Sequence, residues 1–127
     1  MTEEEIIHTA KMFGQAAANA KRYGYDMVTV HAGHGWLIHQ FLSPLTNFRQ
    51  DHWGGTPEKR LNFLLLCMDE IRAAVGKNFP IEYASPAVSA PRVAMGWTTA
   101  LKLPRLWTER RISFMSPPAP NRWSTPA

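Results

Sequence analysis

Seven of the ten prolines in this 127-residue chain lie after Tyr83, at Pro86, Pro91, Pro104, Pro117, Pro118, Pro120 and Pro126. Proline donates no backbone hydrogen bond, and it pushes the residue before it out of the helical region. That density leaves little room for long regular elements beyond Tyr83. The charges divide at the same place. Residues 1–83 hold eight Lys/Arg and nine Asp/Glu, whereas residues 84–127 hold six Lys/Arg and one acid, Glu109. The net charge of +4 is therefore −1 before the break and +5 after it, so the two pieces are read separately.

The first piece has a clear grammar. Thr2-Glu3-Glu4-Glu5 reads as a capping box, followed by Ile6, Ala10, Phe13, Ala17 and Ala20 at helical spacing. Lys21 and Arg22 suit the negative end of that helix, and Gly24 supplies its stop. Tyr25 to His31 is short and β-branched and runs into Ala32-Gly33-His34-Gly35, which predicts a buried strand entering a glycine loop. Trp36 to Leu42 forms a short helix, ended by Ser43-Pro44, and a polar loop follows from Thr46 to Thr56. Thr56-Pro57-Glu58 starts a second long helix with an apolar stripe of Leu61, Leu64, Leu65, Met68, Ile71 and Val75. Gly76 ends it, and Pro80 to Tyr83 begins another strand. This order is βαβ grammar, with parallel strands and chemistry at their C-terminal ends. Two strands cannot close a barrel.

Composition excludes several classes. The lone Cys67, set in an apolar stretch, builds no disulfide framework and no Cys-rich metal site, and reads as an inert core thiol. No run of 18 apolar residues spans a membrane, and the acidic start MTEEEIIH is unlike a signal peptide, so the expected location is cytoplasmic.

The residues with chemical potential are His31 and His34, three apart across a strand end. Two imidazoles so spaced can converge as donors on one carbonyl or anionic oxygen. Spacing alone leaves two other readings open: packing, or a metal pair completed by His39 and His52, although those four positions match no zinc template. Trp36 is either a wall for a flat ligand or core packing. The polar segment Asn47-Phe48-Arg49-Gln50-Asp51, with Gly54-Gly55 and Glu58-Lys59-Arg60, reads first as a loop brace and second as a direct substrate contact. In the brace Arg49 or Arg60 pairs with Asp51 or caps carbonyls. The Gly-x-Gly at Gly33 and Gly35 lacks a third glycine and is no dinucleotide fingerprint.

Taken whole, VHAGHGWLIHQFLSPLTNFRQDHWGGTPEKRLNFLL resembles the Old Yellow Enzyme family of FMN-dependent oxidoreductases. The branch it resembles contains NADH:flavin oxidoreductases related to 2,4-dienoyl-CoA reductase and the bile-acid-inducible reductases. The resemblance runs through residues 1–83. It implies an α/β chain, an internal fragment of a (β/α)8 TIM barrel from about strand 4 to the start of strand 5 with flanking helices, followed by an irregular tail. Residues 1–83 are then a partial FMN-binding barrel. His31 and His34 match the pair that binds the carbonyl oxygen of an enone, or a phenol, over the flavin, with His31 also at the cofactor. The implied chemistry uses NADH or NADPH to reduce FMN, and reduced flavin to deliver hydride to an activated alkene. The implied substrate is a small enone or enoyl compound, and a complementing barrel fragment is left open.

Three departures stand out. Trp36 occupies the position of the tyrosine that protonates the α-carbon, and an indole N–H is too weak an acid for that step. Trp53 replaces a tyrosine, a tolerated change. Lys59 replaces an Asn in a loop brace. After Tyr83 the family continues with a flavin-contacting Arg, whereas this chain reads Ala84-Ser85-Pro86.

The tail of residues 84–127 admits a reading-frame explanation. Taken from the third base of each codon, Trp97-Thr98 and Trp107-Thr108 must both give Asp. With permitted codons, Gly96 to Pro120 reads LDYGIKAAEALDGKADIFHVSAGT, resembling the family's fifth helix and sixth strand. A frameshift from about residue 84 is the expectation, and with most of the barrel lacking, the isolated chain is expected to be inactive. The alternative is a non-enzymatic basic module. Its Arg92, Lys102, Arg105, Arg110, Arg111 and Arg122 interleave with Trp97, Trp107, Phe114 and Trp123 in a pattern that suits single-stranded nucleic acid.

Overall fold

The computed structural model describes residues 1–84 and the backbone of one further strand, Ile112–Phe114. Its elements are α1 (Glu3–Arg22), β1 (Val28–His31), α2 (Leu37–Leu42), α3 (Pro57–Arg60), α4 (Asn62–Val75), β2 (Ile81–Ala84) and β3 (Ile112–Phe114). The strands form one parallel sheet in the order β1-β2-β3. Val28 pairs with Ile81 and His31 with Ala84, while Ile81 pairs with Ile112.

α1 begins as its sequence dictates. The Thr2 hydroxyl accepts from the Glu5 amide at 3.2 Å, and the Glu5 carboxylate accepts from the Thr2 amide at 2.7 Å. Its buried positions, Ile6, Ala10, Gly14 and Ala17, lie at helical spacing. That stripe packs along α4, which buries Phe63, Leu64, Cys67, Met68, Ile71 and Val75. The two helices approach closely enough at Gly14 that an added Cβ would stand 2.8 Å from the Glu70 carbonyl oxygen. At the far end, the Lys21 ammonium donates to the Val75 carbonyl at 2.7 Å, closing α4's C-terminus with a cation.

The helices cover one face of the sheet. Val30, Ile81 and Tyr83 point into this core, where Tyr83 is fully buried. Period-two alternation turns Thr29, His31, Glu82 and Ala84 to the other face. There the Thr29 hydroxyl donates to the Glu82 carboxylate at 3.2 Å.

The structure adjusts four expectations. β1 starts at Val28, not Tyr25: the Val28 amide donates to the Pro80 carbonyl, but Pro80 has no N–H to carry the ladder further back. The strand is also buried on one face only, since Thr29 and His31 are exposed. The second helix divides at Leu61, between α3 and α4. The residues flanking that joint are tied elsewhere. Arg60 donates through Nε to the Leu42 carbonyl at 3.1 Å, and the Asn62 amide donates to the His52 carbonyl at 2.8 Å. Finally, the tail is not irregular throughout, because Ile112–Phe114 adds a strand beside β2. The tail cations and tryptophans named for nucleic acid lie outside the described residues.

Candidate active site

His31 ends β1, and its Ala32 amide neighbour donates to the Ala84 carbonyl at 2.9 Å, which holds the strand ends together. The chain then reverses over Gly33 to Trp36. The Trp36 amide donates to the Gly33 carbonyl at 3.2 Å, and both central residues have positive φ, His34 at 55° and Gly35 at 79°. This is the pattern of a type I′ turn. For a histidine the left-handed conformation costs about 1–2 kcal/mol, and among the described residues His34 is the one non-glycine that adopts it. The result is a meeting of imidazoles. Nδ1 of His34 and Nε2 of His31 are 2.9 Å apart, with ring centres 5.0 Å apart and planes within 15°. The facing nitrogens lie between the ring centres, so one ring donates and the other accepts.

Both histidines are exposed at the C-terminal rim of the sheet. An oxygen entering there can replace the shared bond and accept from both nitrogens once each carries hydrogen. Trp36, 66% exposed, caps α2 and stands beside this rim in sequence and space. Its exposure excludes the core-packing reading. Among the described residues, no three His, Cys, Asp or Glu side chains group around a common point. His39 accepts the Gly35 amide at 2.9 Å through Nδ1, while His52 meets Asn62 and packs edge-on against Trp53.

The polar loop behaves as a brace. Asn47 is buried, and its amide donates to the Phe41 carbonyl at 2.7 Å and the Trp53 carbonyl at 2.8 Å. Arg49 donates through Nε to both Asp51 oxygens at 3.1 Å and through Nη1 to the Met1 carbonyl. The hydrogen bonds from Arg49 hold the Asp51 carboxyl below its usual range, helped by the Trp53 amide. Cys67 is inert as expected: burial pushes its thiol up to about 12. A cavity of about 350 Å³ lined by Lys21, Phe79 and Pro80 opens at the opposite end of the sheet and contributes nothing to this rim.

Two residues carry more of the site than their sequence context suggested. Sequence spacing marks His39 only as a metal-ligand candidate and does not mark Gln40, yet both hold Gly35. The available signal was spacing: they stand four and five residues beyond a glycine, one helical turn from the peptide they grip.

The sequence model of the NADH:flavin oxidoreductase / NADH oxidase family matches residues 1–95. The chain belongs to this family. An NADPH dehydrogenase of Bacillus subtilis is 50% identical over 72 residues, covering 57% of this chain and 21% of the relative. An NADPH dehydrogenase of Clostridium acetobutylicum is 42% identical over 81 residues, covering 64% of this chain and 24% of its own. Among solved structures, morphinone reductase in complex with tetrahydroNAD matches at a TM-score of 0.75 and 31% identity, over 90% of this chain and 33% of that one. An Old Yellow Enzyme from a Pichia species gives 0.76 and 28%, over 91% and 34%. The fold is thus a segment of the family's (β/α)8 barrel, and the chain spans about a fifth of the curated relatives it matches. The family is FMN-dependent, with NAD(P)H as reductant. No described helix is long and apolar enough to cross a membrane.

Among the described residues, the rim presents imidazole nitrogens suited to a ring edge, and the sheet face below it presents no cation suited to a phosphate. At the rim, His31 pairs with Ala84 across the strands, and its Nε2 faces Nδ1 of His34. Thr29, His31, Glu82 and Ala84 on that sheet face include no fixed cation.

Proposed function

We propose that this chain carries the substrate-oxygen end of an FMN-dependent NAD(P)H oxidoreductase that reduces activated C=C bonds of enone or enoyl type. One observation carries the reading: two exposed imidazole nitrogens 2.9 Å apart at the C-terminal end of a parallel strand. His31 and His34 donate to the carbonyl oxygen, where negative charge grows as the β-carbon gains hydride. FMN, when bound, supplies that hydride, having received it from NADH or NADPH. His31 also borders the flavin ring. Trp36 contributes a flat wall and no proton, so the α-carbon is protonated from elsewhere. A 2-naphthoyl-CoA reductase solved with 2-naphthoyl-CoA is 41% identical over 65% of this chain, which supports a conjugated acyl or enone substrate.

Titrating the 127-residue protein with 4-chlorophenol tests the oxygen site. The imidazole nitrogen resonances of His31 and His34 shift, and those of His8 and His52 do not. Unmoved His31 and His34 resonances at millimolar probe overturn the reading. The chain alone is proposed to be inactive, since Ala84 replaces the flavin-contacting Arg and no cation lines the described rim. Purified protein that retains FMN and oxidises NADH overturns that part.

The proposal extends to the tail as a frameshift product from about residue 84. β3 supports it, because Ile112–Phe114 falls where the other frame reads IFH within the sixth strand, and it runs parallel to β2. The nucleotide sequence is the test: an alternative frame interrupted by stops sinks the idea. The nucleic-acid reading draws no support from the family match, and its cations and tryptophans lie outside the described residues.

A further inference from the structure

Gly35 is held at both of its backbone polar groups by side chains of α2. Its N–H donates to Nδ1 of His39 at 2.9 Å, and its carbonyl accepts from the Gln40 amide at 2.7 Å. These groups belong to two successive peptides, His34–Gly35 and Gly35–Trp36. The first is the central peptide of the turn, the unit whose rotation converts one β-turn type into another. The contacts are costly to keep. With Nδ1 accepting, the proton of a neutral His39 is on Nε2, which is buried and finds no partner among the described residues. His34, in turn, occupies a left-handed conformation that its side chain disfavours. A strained residue persists where its surroundings over-determine it.

We propose that His39 and Gln40 are positioning residues: by clamping Gly35 they keep His34 left-handed, and only from there does its Nδ1 reach Nε2 of His31. The inference deepens the oxygen-site reading and rests on it for its functional meaning. The mechanical part is independent of any ligand. α2 acts as the anchor, since Ile38, Phe41 and Leu42 fix it in the core. Its first turn then offers an acceptor and a donor to the peptides that precede it. Releasing the central peptide frees His34 to relax toward negative φ, which swings the imidazole away and leaves His31 unpartnered. Neither clamp residue touches the substrate oxygen, so their effect reaches it through His34 alone.

The test uses the full chain with imidazole nitrogens labelled, read by NMR without ligand. In the native protein His31 Nε2 and His34 Nδ1 show coupling through their shared hydrogen, and the Gly35 amide exchanges slowly. His39→Leu removes the acceptor: the coupling is lost and Gly35 exchange speeds at least tenfold, while the amide shifts of Ile38 and Phe41 stay in place. His39→Asn, whose Oδ1 stands near the position of Nδ1, restores both signals. That rescue separates positioning from mere packing. Gln40→Leu, at an exposed site, gives the same loss of coupling should the His39→Leu protein not fold. Retention of the His31–His34 coupling in a folded His39→Leu or Gln40→Leu protein overturns the clamp. So does a failure of His39→Asn to restore it. The 4-chlorophenol titration of the native protein decides the oxygen-site reading separately, because the clamp is read with no probe present.

Discussion

Gly14 of α1 rests on the backbone of Glu70 in α4, and no side chain fits between them: a Cβ would stand 2.8 Å from the Glu70 oxygen and 3.1 Å from its carbonyl carbon. Two effects of Gly14→Ala oppose each other. Alanine improves helix propensity by about 1 kcal/mol. The clash is with backbone, which cannot rotate aside, so relief requires the helices to part and loosens Ile6, Ala10 and Cys67 behind them. Overpacking of this kind costs about 1–3 kcal/mol. Urea unfolding is expected to show a net loss of up to about 2 kcal/mol, and a stabilised variant would mean that the helices are not this close.

Asn47 holds the loop before α3 against the end of α2 with both of its amide hydrogens. Asn47→Ala strands the carbonyls of Phe41 and Trp53 away from donors. Each buried unsatisfied group costs about 1–3 kcal/mol, so a loss of about 2–6 kcal/mol is expected in chemical denaturation. Asn47→Asp is no rescue, because a carboxylate cannot donate to those carbonyls.

Asp51 sets a pH dependence of known sign. Its carboxyl is held below the unfolded value by Arg49, so its contribution is present above the unfolded carboxylate range and is lost as pH falls through the lowered folded value. The pair is exposed and salt screens it, so the effect is small. The stability difference between the native protein and Asp51→Asn should stay level from neutral pH down to the unfolded range and vanish below it. A difference that grows on acidification contradicts the assignment.

Cys67 gives the opposite sign. Its thiol is pushed from 9.0 up to about 12 by burial among Leu64, Met68 and Ile71. The folded protein keeps the proton that the unfolded chain releases. Its contribution is complete below pH 9 and declines as pH rises toward 12. A thiol reagent at pH 8 should label the protein only at the rate of unfolding, and Cys67→Ala should flatten the alkaline loss.

Much of this was legible because it depends on local chemistry. The Thr2–Glu5 box, the Thr56-Pro57 start and the Gly24 and Gly76 stops are short-range signals, and each stands where its residues predict. What escaped depends on contacts between distant positions. The start of β1 is decided by Pro80, the residue before β2. Gly14 reads as a weak point in a helix until Glu70 is seen beside it. At the rim, the spacing of His31 and His34 suggested convergence, but their direct nitrogen–nitrogen contact and the roles of His39 and Gln40 follow from the left-handed turn. Trp36 was ambiguous for the same reason: sequence sets its place before α2, and only the turn decides that it faces solvent.

That turn makes His34 a site where stability and function pull apart. At φ 55° a residue with a Cβ is strained, and glycine is not. His34→Gly relieves about 1–2 kcal/mol of left-handed strain but adds freedom to the unfolded chain worth about 0.4–1 kcal/mol. It also loses the contact to His31, an exposed pair contributing little to stability. His34→Gly should therefore be more stable than the native protein by up to about 1 kcal/mol. His34→Ala keeps the strain without the imidazole and should be less stable than His34→Gly by about 1 kcal/mol. Neither variant should shift its His31 resonance with 4-chlorophenol as the native protein does. Equal stabilities of the two variants would show that residue 34 is not left-handed, and the geometry that brings the two imidazoles together would go with it.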